Sequence, residues 1–566
     1  MKKHKLLALF LALVMVVSLV LSGCNKNQTT PQGDTGSGKP DADQHLSLPL
    51  VADVRTLDSS KATDLYSATV QLETQEGLIR VRNDGKKDTI EKAGAKDWKV
   101  SDDGLTWTFT LRDYKWSDGK PVTAGDYEYA WKRLLNPETK SGYAYLIAPV
   151  IKGAEDYNAG KGKVEDVKIT AKDDKTLVVE LVHPTAYFDK LLGMQGLLPL
   201  RKDIVEAAGE TYGQDPSKLV YCGPYTVSEW TKGSKVVLKK NPSYWDADNV
   251  KLATVELPVV IDLNARMKAF DTKQIDAVGA KGEFKEQYKK LADEKKLVWT
   301  SGFEPSTNYV FFNCKDKNGI FTNRNIRMAF SLAIDRETYV KNVVKFGVPA
   351  YGWAPYELMI GNDQFRDKVK EPLKEVKDDP KELLLKGMQE AGLGNDPSKI
   401  TVTYLNSSTD ADARSQAEAL QNMWQEKLGV KVKIEATTDF PQFLDRIDQE
   451  QFQVSAMAWI GDYNDPMTFF DMWTIPNAAP GGNNSAKWES KEYDALIDKL
   501  MQEQDESKRL EMFAQAEKML VVDAAAIAPY SFRDKDTFRY PYVKDLGTPL
   551  FGPIWDFKTA YTQGRE

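Results

Sequence analysis

Residues able to carry covalent or metal chemistry are scarce in this chain of 566 residues. Histidine occurs only at His4, His45 and His183, and cysteine only at Cys24, Cys222 and Cys314. A nucleophile–base pair or a His/Cys metal set needs several such groups at one point. His4 and Cys24 fall in an amino-terminal leader and His45 borders a polar tether, so too few remain. No G-x-S-x-G, H-E-x-x-H or C-x-x-C spacing occurs. Cys222 and Cys314 are either free thiols or one disulfide, and the sequence leaves both open. What remains is carboxylate chemistry, and Ser455 to Pro466, S-A-M-A-W-I-G-D-Y-N-D-P, holds two acids of different character. Asp465 precedes Pro466 and the run Met467–Trp473, so it reads as a helix cap with proline as the first helical residue. Asp462 has no such local employment. It stands between Gly461 and Tyr463 beyond a strand carrying Trp459, where open α/β sheets place ligand groups. A turn that bonds its own backbone is the other reading of Asp462. None of those catalytic motifs occurs and nothing among the 83 acids singles out a catalytic pair, so no enzyme, cofactor or metal centre is expected.

The elements that must position this acid are legible as periodicities. Phe452–Gly461 is an apolar run that reads as a buried strand. Ile400–Leu405 and Val430–Ala436 read as strands around a helix at Ala411–Leu428 that Gly429 ends, a βαβ unit. A helix capped by Asp379-Pro380 runs to Gly392, and Asp498–Met519 reads as one charged, solvated helix. Earlier, Leu46–Val51 reads as a strand and Leu57–Tyr66 as a loop. Trp98–Arg112 alternates as a hairpin about Ser101–Gly104. Thr123 and Asp126 form a capping box for a helix with an apolar face of Ala130, Trp131, Leu134 and Leu135, ended by Asn136-Pro137.

Length points to three or four domains at roughly 150 residues each, and 42% apolar residues point to packed cores. The formal net charge is -7, or -10 without Lys2, Lys3 and Lys5 of the leader. An acidic surface with no basic stripe excludes nucleic acid as a partner. Met1–Lys5 is a cationic start and Leu6–Leu21 an apolar run shorter than the roughly 20 residues of a membrane span, hence an export signal. Leu21-Ser-Gly-Cys24 resembles the lipobox of bacterial lipoproteins, which implies cleavage before Cys24 and a lipid anchor on its sulfur. Asn25–Gln44 is a polar tether whose ends average about 25 Å apart.

Beyond these readings, W-I-G-D-Y-N-D-P (Trp459–Pro466) resembles the W-x-A-D-Y-x-D/E-P motif of the oligopeptide- and dipeptide-binding proteins that feed ABC importers. V-S-D-D-G-L-T-W-T-F-T-L-R (Val100–Arg112) with W-S-D-G-K-P-V-T-A (Trp116–Ala124) matches that family's signature region, and Gly223-Pro-Tyr225, Asn241–Trp245, Asn323–Phe330 and Ala333–Arg336 extend the likeness over residues 46 to 562. The resemblance implies an α/β periplasmic-binding-protein fold of two lobes joined by a hinge, with an additional inserted domain. Lobe I takes residues 45–74, 198–302 and 530–566, the extra domain 75–197 and lobe II 303–529, after a signal peptide (1–23) and the tether (24–44). It implies a monomeric, lipid-anchored receptor on the outer face of the bacterial cytoplasmic membrane, capturing peptide for a permease. Asp462 would hold the peptide's α-ammonium, with Trp459, Tyr463 and Phe440 as walls and the Ala458 and Ile460 backbones continuing along the peptide. Thr63 and Leu65 would line the opposite side, and one of Tyr143 and Tyr145 would face the cleft. The family's carboxylate-binding arginine and histidine are replaced by Ala456 and Ala413, leaving Arg414 as the adjacent cation. A sugar or other solute receptor of the same fold, or an extracellular hydrolase, is the alternative.

Overall fold

The computed structural model describes residues 39–83, 88–316, 319–438, 440–478 and 482–565; the leader and Cys24 lie outside them. The first strand, β1 (His45–Ser47), is followed by helix α1 (Leu65–Thr74). Asp64 Oδ1 accepts the Tyr66 and Ser67 N–H groups at 3.1 and 2.8 Å, so the loop expected to Tyr66 ends at this cap. The hairpin about Gly104 is β2 (Ala95–Val100) and β3 (Thr106–Leu111), with Trp98 opposite Phe109. Helix α2 (Ala124–Leu135) carries the expected box: Asp126 Oδ2 accepts the Thr123 N–H at 2.8 Å. It buries Ala130, Trp131, Leu134 and Leu135. Strands β4 (Ile169–Asp173) and β5 (Thr176–Glu180) complete an antiparallel sheet of order β2-β3-β5-β4.

The chain then returns to β1. Strands β6 (Tyr225–Thr231), β7 (Lys235–Lys240) and β8 (Thr254–Pro258) form a second sheet of order β1-β8-β7-β6, in which His45 of β1 lies parallel to Thr254 of β8. The β2–β5 sheet is therefore inserted in the chain between β1 and the other strands of its sheet.

The third sheet is built from β9 (Ala277–Gly279), β10 (Val298–Phe312), β11 (Thr401–Asn406), β12 (Lys431–Ala436), β13 (Val454–Ile460) and β14 (Ile527–Arg539), in the order β9-β14-β10-β13-β11-β12. Before β11 lies α3 (Pro380–Glu390), and between β11 and β12 lies α4 (Ala411–Leu428). Gly429 ends α4 at φ 77°, a conformation cheap only for glycine. Its core sets Tyr309 of β10 edge-on to Trp353 at 4.7 Å and Trp473 at 5.8 Å. The 15-residue β10 and 13-residue β14 run antiparallel. They pair from Val298–Arg539 to Phe303–Asp534, lose register, and resume at Thr307–Phe532. Past α5 (Phe440–Asp448) and α6 (Met467–Phe470), the single helix expected at Asp498–Met519 is two, α7 (Lys491–Gln502) and α8 (Glu506–Lys518). Asp505 breaks it by accepting the Lys508 N–H at 3.0 Å as a new cap. Nor is it simply solvated, since Arg509 and Glu517 are buried. Cys222 and Cys314 are free thiols, and burial pushes both above the usual thiol range.

Candidate functional site

Strand β13 stops at Gly461, where a Cβ would stand 3.0 to 3.2 Å from Phe551, Phe469 and Thr468 side-chain atoms. A larger residue there would press those side chains aside by a few tenths of an ångström. The next N–H, of Asp462, donates to Thr468 Oγ1 of α6 at 2.9 Å. That bond holds the backbone and frees the side chain, which does not fold back into its own turn. Tyr143 Oη donates to Asp462 Oδ1 at 3.0 Å and Tyr145 Oη to Oδ2 at 2.9 Å. Burial raises this carboxyl from 3.8 to about 6, against the pull of both hydroxyls, and no cation contributes. Asp471 is pushed up to about 8 by burial and then by the charge of Asp462. Among the described residues neither acid is paired with an opposite charge, and buried anions so placed favour a cation. Asp465 is different. It accepts the Met467 N–H at 2.9 Å as the expected cap, and pairs bidentately with Arg509 at 2.8 and 2.9 Å.

Around this carboxylate the structure gathers most of the residues singled out in the sequence. Trp459 is half-buried and donates its indole N–H to the Thr468 carbonyl at 2.8 Å. Tyr463 is buried and stacks on Tyr187 at 5.4 Å. The Tyr143 hydroxyl also lies 3.3 Å from the Thr63 carbonyl. Leu65, half-buried, opens α1 just beyond. Two residues stand apart: Arg414 is exposed on the first turn of α4, and Phe440 is 53% exposed on α5, stacked on Phe443. Neither has a hydrogen bond or ring contact to the Asp462 cluster among the described residues. Tyr187 and Asp471 were not anticipated. Only the lone acid in the apolar run Met467–Trp473 could have drawn attention to Asp471.

The backbone of β13 offers a second feature. On one side it pairs with β10 over its whole length, from Val454–Phe312 to Ile460–Ser306. On the other it pairs with β11 only at Val454 and Ser455, so Ala456 to Ile460 form an open edge. Gly461 N–H donates to the Pro305 carbonyl at 2.8 Å, which fixes the alternation. Trp459 then points its N–H and C=O at β10, while Ala456, Ala458 and Ile460 point theirs at the open edge. Such an edge is a template for another extended chain. Beside Asp462 lies a cavity of about 1000 Å³ whose lining includes Tyr463, Asn464, Ile79, Val81 and Met194.

A family model described as bacterial extracellular solute-binding proteins, family 5 Middle, matches residues 89–481. The oligopeptide-binding protein OppA of Bacillus subtilis is 33% identical over 557 residues, 97% of this chain and 98% of its own. The dipeptide-binding protein DppE of the same organism is also 33% identical, over 92% of this chain and 93% of its own. Among solved structures, Listeria monocytogenes OppA bound to peptide is similar with a TM-score of 0.77 at 32% identity, over 93% of this chain and all of that one. The likeness bears out the two-lobe periplasmic-binding-protein fold. With two-thirds of its length matched by the model and nearly all of it by OppA, this chain belongs to the family 5 bacterial extracellular solute-binding proteins.

Proposed function

We propose that this protein is a receptor that captures peptides between its lobes, with Asp462 as the anchor for the α-ammonium, and hands them to an ABC importer. The observation that carries this reading is an uncompensated carboxylate at the end of an open strand edge. A peptide laid along Ala456, Ala458 and Ile460 bonds through its main chain, which reads no sequence. Its first nitrogen then falls at Asp462, with the Tyr143 and Tyr145 hydroxyls holding the carboxylate in place. Trp459 and Tyr463 are the walls, Thr63 and Leu65 face them from lobe I, and Phe440 extends the wall past the far end. Arg414 is the cation offered to the peptide carboxylate; peptide acids should outbind peptide amides, and equal affinity would remove that role. The register slip of β10 and β14 is the hinge, which supports lobe boundaries near residues 302 and 530. No described helix is long and apolar enough to cross a membrane, and Cys24 carries the lipid that anchors the protein outside the cell. Calorimetry with a short peptide and its N-acetyl form tests the anchor. The free amine should bind at least about 100-fold more tightly; equal affinities would reopen the sugar reading.

A further inference from the structure

The chain from Ile460, the last residue to offer main-chain groups at the open edge, to Asp462 is short and pinned from two sides. Gly461 N–H donates to the Pro305 carbonyl of β10 at 2.8 Å, and Asp462 N–H to Thr468 Oγ1 at 2.9 Å. Thr468, 2% exposed, meets this strand end at two further points. Its carbonyl accepts the Trp459 indole N–H at 2.8 Å, and its methyl carbon lies 3.2 Å from where a Cβ on Gly461 would stand. The helix that carries Thr468 is seated without that hydroxyl. Asp465, just ahead of α6, accepts the Met467 N–H at 2.9 Å and pairs with Arg509, and the indole N–H of buried Trp353 donates to the Phe469 carbonyl. Thr468 therefore carries position from the packed core under α6 to the end of β13. The Asp462 side chain takes no part in holding its own backbone, since both its oxygens accept from tyrosines.

We propose that Thr468 sets the spacing between the open edge and the Asp462 carboxylate, and so makes the site selective for an ammonium on the α-carbon. The inference rests on the peptide reading above, because spacing matters only to a ligand that uses the edge and the anchor together. A peptide paired with Ile460 has its first nitrogen placed by its own main chain. Charge-assisted hydrogen bonds are short and weaken steeply when misaligned, so the carboxylate must wait where that nitrogen falls. One extra methylene before the first peptide group moves the ammonium out of that place. Without the Thr468 hydroxyl, the Asp462 N–H is buried against a methyl group, and it regains a partner only by moving Asp462 out of register. Thr468 is thus a positioning residue that acts through Asp462.

The test is calorimetry with three peptides identical but for the first residue, which is glycine, β-alanine or N-acetylglycine. They are titrated into the full protein and its Thr468→Val and Thr468→Ser variants. The wild type should bind the β-alanine form about tenfold or more weakly than the glycine form, and the acetylated form more weakly still. Thr468→Val should lose about tenfold for the glycine peptide and much less for the other two, so that the three affinities converge. Thr468→Ser keeps the hydroxyl and should hold the wild-type ratios. Thr468→Cys, similar in shape with only a weakly accepting sulfur, replaces Thr468→Val if that variant fails to fold. Equal wild-type affinity for the glycine and β-alanine forms would overturn the spacing. So would a loss spread evenly over the three peptides in Thr468→Val, which marks a structural role alone, ratios unchanged in that variant, or ratios lost in a folded Thr468→Ser. Equal wild-type affinity for the glycine and N-acetylglycine forms, or no binding of either, would instead remove the anchor reading, and this inference with it.

Discussion

Asp462 should cost the ligand-free protein stability, and removing its charge should show it. In an unfolded chain an aspartate titrates near 3.9; in the folded protein burial holds Asp462 at about 6. Between those values the folded state keeps a proton that the unfolded chain has lost, so stability falls as pH rises through that window. Above pH 6 the ionised carboxylate sits in a site that does not favour it, at a cost of up to roughly 3 kcal/mol. The neutral Asp462→Asn keeps the shape and can still meet both tyrosine hydroxyls, but it never ionises. Without ligand it should melt above the wild type at pH 7, with the gap narrowing to about a third by pH 4.5 and closing below pH 3.9. The opposite holds for binding. A peptide ammonium needs the ionised form, so wild-type affinity should fall about tenfold per pH unit below 6, and the variant should bind some 10²- to 10³-fold more weakly at pH 7. Differential scanning calorimetry of the free proteins, with titrations at pH 5, 6 and 7, reads both effects. An Asn variant no more stable than wild type at pH 7, with peptide affinity retained, would show that Asp462 is not a desolvated anion awaiting a cation.

Cys24→Ser should release the protein from membranes, where the wild type resists salt washes that strip charge-held proteins; equal retention would refute the lipid anchor. Arg509→Met leaves Asp465 buried without its partner and should cost about 3–5 kcal/mol in thermal unfolding; an unchanged melting temperature would make that pair dispensable. Because Cys222 and Cys314 are free, reductant should leave the melting temperature unchanged.

What the sequence disclosed and what it hid divides by distance along the chain. Thr123 with Asp126, Asp379 before Pro380, and Gly429 after α4 all act within four residues, and each stands where local patterning puts it. The break in Asp498–Met519 escaped because the charge pattern runs through it, and because Arg509 answers to Asp465, 44 residues earlier. The partners of Asp462 lie 317 and 319 residues away. No periodicity reaches that far; only resemblance to a family brought Tyr143 and Tyr145 near the cleft. The open edge is harder still to read, since its residues Ala456, Ala458 and Ile460 act through main-chain groups that any residue but proline supplies. Side-chain chemistry can therefore be sparse here without binding being weak. On the function proposed here the backbone would hold any extended chain, and selectivity would fall to side chains such as Asp462, the one the sequence made visible.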